Sequence, residues 1–177
     1  MKKKILIIID MQNDFITGSL ANKDAEAIVE PLCEYIKNFE GDIICTRDTH
    51  QVDYLNTMEG KHLPIEHCIK DTAGHCIDDR ILKALRSKKY AVIDKPTFGT
   101  LEWDRFLSTY FLENLEKWDI KICGTCTDIC VISNALILKA MYSEHNISVL
   151  KDLCAGTTKE HHEQALEIMR QCQIEVK

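Results

Sequence analysis

The chain has 177 residues, 45% hydrophobic and 28% charged, which is enough apolar material for a core that needs no disulfide or metal staple. A formal net charge of −6 leaves no basic face to neutralise phosphates, so a nucleic-acid partner is not expected. The basic start Lys2-Lys3-Lys4 leads into an apolar run of only Ile5 to Ile9, too short for an export signal or a membrane span. A cytoplasmic location without membrane contact is therefore expected, in which the nine cysteines stay reduced.

Ile5 to Ile9 is a continuous β-branched and leucine run and reads as a strand buried on both faces. Ala25 to Phe39 has helical spacing through Ile28, Leu32 and Ile36, with Pro31 as a local irregularity. Asp42 to Thr46 reads as a second strand, and Asp48 to Gly74 as a long irregular stretch rich in histidine. A helix over Ile77 to Leu85, a strand over Tyr90 to Asp94 and one or two helices over Leu101 to Trp118 follow. Ile120 to Gly124 is a fourth strand, Thr127 to Tyr142 a long helix, and Ile147 to Leu150 a fifth strand. A helix over Lys159 to Cys172 and a short strand over Ile174 to Val176 end the chain. Alternation of this kind predicts an α/β fold of three α/β/α layers, Rossmann-like, around a mostly parallel sheet of about six strands. No repeat, low-complexity segment or linker interrupts it, so residues 1–177 are expected to form one domain.

Ligand sites of such sheets lie beyond the carboxyl ends of the strands. That rule selects Asp10, then Asp48 with His50, then Asp94 with Lys95, then Gly124 to Cys130, then Asp152 with Cys154. Cys130 falls in the first turn of the helix after the fourth strand, where the helix dipole favours a thiolate. The amides of Cys126 and Cys130 are natural donors to an oxyanion there. A core cysteine among Ile129, Val131 and Ile132 fits the same position equally well. Asp10 and Lys95 each end an apolar strand. A carboxylate there can take a thiol proton and a lysine can hold the anions, although a turn cap and a solvated strand end are the plain alternatives. Cys123, Cys126 and Cys130 cluster in sequence, but the fourth ligand of a structural zinc site is not near them. Asp48-Thr49-His50 presents a carboxylate and an imidazole to one side of an extended segment, with Glu59, His62 and His67 downstream. That donor set suits Zn, Mn or Fe, and an exposed polar loop is the alternative. His75, His145, His161 and His162 read as surface residues without a role.

In order along the chain, these residues resemble the isochorismatase-like cysteine hydrolases, and within that family the nicotinamidase branch. The likeness is carried by Ile8-Ile9-Asp10-Met11-Gln12-Asn13-Asp14-Phe15, Gly18-Ser19-Leu20 and Thr46-Arg47-Asp48-Thr49-His50. It continues through Leu63-Pro64 with His67-Cys68, Lys95 with Pro96 to Gly99, and Gly124-Thr125-Cys126-Thr127-Asp128-Ile129-Cys130-Val131, and ends at Asp152-Leu153-Cys154-Ala155-Gly156. The resemblance implies a catalytic triad of Asp10, Lys95 and Cys130, an oxyanion hole at the amides of Cys126 and Cys130, and a cis peptide at Thr125–Cys126. It implies a divalent metal ion (Zn, Fe or Mn) on Asp48, His50 and His67, with Glu59 at a fourth position, and Phe15 packed on the substrate ring. The implied reaction converts nicotinamide, a small-molecule amide, to nicotinate and ammonia through a thioester on Cys130, as in NAD salvage. The chain departs from the pattern ahead of His67, where Leu63-Pro64-Ile65-Glu66 has no ring-packing aromatic residue, with Tyr54 a potential substitute. Cys126 stands where relatives commonly have alanine. A metal-free hydrolase of another small amide and a non-catalytic binding protein on the same fold remain alternatives, and a homo-oligomer stays open.

Overall fold

A computed structural model describes residues 3–110 and 118–177. Six parallel strands form one sheet flanked by helices: β1 (Lys4–Ile9), β2 (Asp42–Asp48), β3 (Tyr90–Lys95), β4 (Asp119–Thr125), β5 (Asn146–Ala155) and β6 (Glu175–Val176). Their order is β3-β2-β1-β4-β5-β6. The helices are α1 (Asn13–Ile16), α2 (Lys23–Ala27), α3 (Val29–Asn38), α4 (Met58–His62), α5 (Asp79–Leu85), α6 (Trp103–Tyr110), α7 (Ile132–Met141) and α8 (Lys159–Gln171). No described helix is long and apolar enough to cross a membrane. The isoleucine-rich β1 is central and buried on both faces, as its unbroken apolar run requires. The chain runs outward from β1 to β3 and then returns to β4 on the other side of β1. Adjacent connections leave in opposite directions there, opening a crevice at the carboxyl ends of β1 and β4.

Several boundaries differ from the sequence expectation. The helical segment after Asn22 breaks at Ile28 rather than at Pro31. Asn22 caps α2 by accepting the N–H groups of Asp24 and Ala25, and Pro31 sits in the first turn of α3, where its missing N–H costs nothing. Strand β5 continues to Ala155, so Asp152 and Cys154 lie within it and not beyond it; Asp152 is exposed and Cys154 joins the core. The stretch after Asp48 is less irregular than expected and contains a 3₁₀ turn at Tyr54–Asn56 and then α4. The long helix expected from Thr127 begins instead as a π-helical turn, Thr127–Val131, in which Val131 N–H donates to the Cys126 carbonyl at 3.0 Å. Of the helix expected over Leu101 to Trp118, residues 111–117 lie outside the described residues.

Candidate active site

The crevice collects polar side chains from four strand ends, three of them charged. Strands β2 and β3 pair Asp48 directly with Lys95, and Asp10 and the Thr127–Val131 turn follow β1 and β4. Asp10 has φ 48°, in the left-handed region that aspartate tolerates better than most residues. Thr46 holds it there: the hydroxyl donates to Asp10 Oδ1 at 2.6 Å and accepts the Asp10 N–H at 3.2 Å. On the other side Gly124 has φ 116°, and a Cβ there would lie 2.1 Å from the Ile9 carbonyl oxygen, so only glycine lets β4 pass this close to β1. The next peptide, Thr125–Cys126, is cis, as the resemblance implied.

Lys95 is fully buried and joins the whole group. Its Nζ lies 2.6 Å from Asp10 Oδ2, 3.6 Å from Cys130 Sγ and 3.8 Å from Asp48 Oδ1, and it donates to the Thr97 carbonyl at 3.1 Å. Burial alone would discharge this lysine, but Asp10 first, with Cys130 and Asp48 beside it, outweighs burial and keeps it an ammonium. Asp10 is raised above the ordinary carboxylate value by burial, against the pull of Lys95 and with the push of Asp48. The Cys130 thiol is pushed up as well, by burial first and then by Asp10, against Lys95. Burial at this turn therefore opposes the thiolate, while the Lys95 ammonium favours it.

Beside this trio, ligand atoms of Asp48, His50, Glu59 and His67 all lie within 4.8 Å of one another. His50 Nε2 is 2.9 Å from Asp48 Oδ2, and His67 Nε2 is 3.5 Å from the same oxygen. His67 Nδ1 donates to the Ile65 carbonyl at 2.8 Å, which fixes the ring with Nε2 aimed at the group. Asp48 Oδ1 is buried with no hydrogen-bond partner among the described residues. Two imidazoles, two carboxylates and an unsatisfied buried oxygen fit a divalent cation, so the four residues could hold one. Hydrogen bonds from His50 and His67, with the charge of Lys95, overcome burial and hold the Asp48 carboxyl well below the usual range. His62 stays outside the group, with Nδ1 on the Met58 carbonyl.

The DxQND motif after β1 supports this quartet. Gln12 is fully buried; its Nε2 donates to the carbonyls of Asp48 and His75 at 2.9 Å each, and its Oε1 accepts the Asp48 N–H at 2.7 Å. Asn13 donates to the Ala73 carbonyl, and Asp14 accepts the Cys68 N–H at 2.7 Å, next to His67. Tyr54 packs its ring on His50 and His67, with centroids at 4.6 and 4.9 Å, and its hydroxyl donates to the Leu63 carbonyl. It therefore stands behind the quartet and does not line the cavity, so it does not replace the missing ring-packing residue. His75, expected on the surface, is buried against the Thr49 hydroxyl, and His162 is half-buried on Thr127. His145 is likewise half-buried, against Trp118 and Tyr142. Cys123 is a core residue with Sγ near the Ile7 carbonyl, which removes it from any cysteine metal knuckle.

Trio and quartet open into one cavity of about 420 Å³, lined by Cys126, Cys130, Asp48, Glu59 and His67 and walled by Phe15, Leu63, Phe98 and Ile129. Phe15 packs on His67 at 5.7 Å. Sequence reasoning gave no role to Phe98, although it lies in the matching Pro96 to Gly99 stretch, and missed Asn134, a buried amide with four partners. Asn134 Oδ1 accepts from Thr100 N–H and Trp103 Nε1, while Nδ2 donates to the carbonyls of Phe98 and Cys130. It ties the loop after β3 to the turn that carries Cys130.

Comparison with known proteins places the chain in a family and matches its fold. The isochorismatase domain family matches residues 4–177. The nicotinamidase of Saccharomyces cerevisiae is 27% identical over 174 residues, covering 75% of this chain and 80% of its own. The structure of PnC1 from L. infantum in complex with nicotinate superimposes with a TM-score of 0.83 at 19% identity, covering 99% of this chain and 92% of that one. The pyrazinamidase of Pyrococcus horikoshii in complex with zinc gives 0.75 at 24% identity, covering 99% and 98%. The chain belongs to the isochorismatase family of hydrolases.

Proposed function

We propose that this chain, working as one domain, is a cysteine amidohydrolase that converts nicotinamide to nicotinate and ammonia through a thioester on Cys130. The observation that carries the reading is Lys95, which touches Asp10 at 2.6 Å and Cys130 at 3.6 Å beneath a cavity that Cys130 lines together with Asp48, Glu59 and His67. Nicotinamidases among the sequence relatives, and relatives solved with nicotinate and with zinc, support it.

Asp10 takes the proton from Cys130 as Sγ attacks the amide carbon, so the thiolate exists only where the substrate is already in place. Its raised affinity for protons suits it to that role and to returning the proton to the departing ammonia. The N–H groups of Cys126 and Cys130 donate to the oxyanion. A water then attacks the thioester, Asp10 takes its proton, and nicotinate leaves with the Cys130 thiol restored. Lys95 stays charged throughout and balances each anion in turn. Phe15 packs on the ring. A divalent ion on Asp48, His50, Glu59 and His67 would supply a Lewis-acid point that binds and orients the pyridine nitrogen.

Ammonia release from nicotinamide, measured before and after chelation and after reloading with Zn, Fe or Mn, tests the reading. The expected result is turnover that chelator removes and metal restores. Ammonia release by a Cys130→Ala variant at the wild-type rate would refute it.

A further inference from the structure

The cavity is larger than the ring it is proposed to hold. At about 420 Å³ it falls in the range of sites for drug-sized ligands. A single-ring amide fills roughly a third of it at the packing density of organic crystals. The polar lining is concentrated, because Lys95 touches both Cys130 and Asp48. Much of the remaining wall is apolar: Leu20, Leu63, Phe98 and Ile129. Three polar side chains share that wall: Lys23, which is exposed, and Asn22 and Thr157, which are already engaged. Asn22 caps α2 and donates to the Gly156 carbonyl, and the Thr157 hydroxyl donates to Asp128. Leu63 and Phe98 keep 36% and 45% of their surface exposed, and Met58, Ile65 and Leu101 on the same two segments are exposed as well. Apolar surface of this extent around a site gains when a ligand covers it.

We infer that the preferred substrates are heteroaromatic carboxamides carrying an apolar substituent of several carbons on the ring, and that Leu63 and Phe98 select for it. The inference rests on the hydrolase reading above and narrows it. The position of the substituent follows from ring geometry. With the carboxamide at Cys130 and the ring nitrogen turned towards Asp48, Glu59 and His67, both anchors flank C2. The atom farthest from both is C5, so a group at C5 is the one that reaches the apolar wall. Nicotinamide itself leaves that space to water with few partners, which an alkyl chain displaces.

Two measurements test this on the full-length protein: kcat/KM by ammonia release for nicotinamide and for 5-propylnicotinamide, and calorimetric binding of both compounds to Cys130→Ser. Partial burial of a propyl group corresponds to about tenfold. The expected result is a preference of about that size for 5-propylnicotinamide in both readouts. Leu63→Trp, which fills the apolar space, should bring the preference below one. A wild-type ratio at or below one in either readout overturns the inference even when nicotinamide is hydrolysed well. Absence of both turnover and binding for the two compounds overturns the hydrolase reading itself, and the inference with it.

Discussion

Asp10, Lys95 and Cys130 stand at or just past the ends of three strands, while Asp48, His50, Glu59 and His67 span a connection of which only the first residue belongs to the sheet. The trio is fixed by strand register: with β1 between β2 and β4, and Asp48 opposite Lys95, the three side chains can only converge. The quartet is fixed by side chains reaching in from elsewhere, namely Gln12 and Asp14 from the segment after β1 and Tyr54 from within the connection. A site of this kind has one half that fails when charge balance fails and another that fails when its clamps loosen. Lys95 belongs to both, because it also approaches Asp48.

The comparison is broken most severely at Lys95. Lys95→Met leaves Asp10 and Asp48 buried together without a counter-charge. Unfolding in denaturant should show a loss of about 3–5 kcal/mol, with ammonia release abolished. If the stability loss were small, the trio would not be held by charge. Gln12→Ala separates the halves. It strands the Asp48 N–H and two carbonyls in the core, at about 2–4 kcal/mol. Zinc affinity, read by competition with a chromogenic chelator, should fall by about 10–100-fold. Tyr54→Phe is milder. It removes one hydrogen bond to the Leu63 carbonyl while keeping the ring on both histidines, so a loss of about 1 kcal/mol is expected. A larger loss would mean that the hydroxyl, and not the ring, holds the quartet.

An equally small expected effect lies outside both halves and serves as their control. Asp78 caps α5, accepting the Arg80 N–H at 2.8 Å, and the Arg80 guanidinium meets it at 2.7 Å while also binding Glu26. Burial raises the Asp78 carboxyl, but the hydrogen bonds from Arg80 outweigh it and hold the folded value below the ordinary one. A depressed folded value means the stabilisation is fully present above the unfolded pKa of about 4 and is lost as pH falls through the folded value. Asp78→Asn should therefore cost about 1 kcal/mol at neutral pH. The gap to wild type should close on titration below about pH 4. A gap that stays constant with pH would show that the charge plays no part.

The trio was legible in the sequence because a charge at the end of an apolar strand has no packing reason to be there, and Asp10 and Lys95 both stand out that way. The parallel sheet was legible for a related reason, since unbroken apolar runs alternating with helical spacing admit few other arrangements. The clamps were not. Gln12 and Thr46 stand inside the matching motifs, but their partners lie 36 residues away and that of Asn134 34 away, so nothing local shows what they hold. The break at Ile28 was hidden because Pro31 is the louder signal, although a proline in a first turn is harmless. The burial of Cys130 was not legible either, because the dipole of a turn can be read from sequence whereas its depth in the core cannot. The apolar rim at Leu63 and Phe98 was visible only as a missing aromatic residue, and the structure turns that absence into space.

The central claim is that Cys130 bonds covalently to the acyl group. Rapid-quench intact-mass analysis during turnover of nicotinamide tests it most directly. The account predicts a transient species heavier than the protein by a nicotinoyl group less one hydrogen, mapped to Cys130 by peptide analysis and absent from Cys130→Ala. Undiminished ammonia release by Cys130→Ala, or an adduct mapped to another residue, would contradict it.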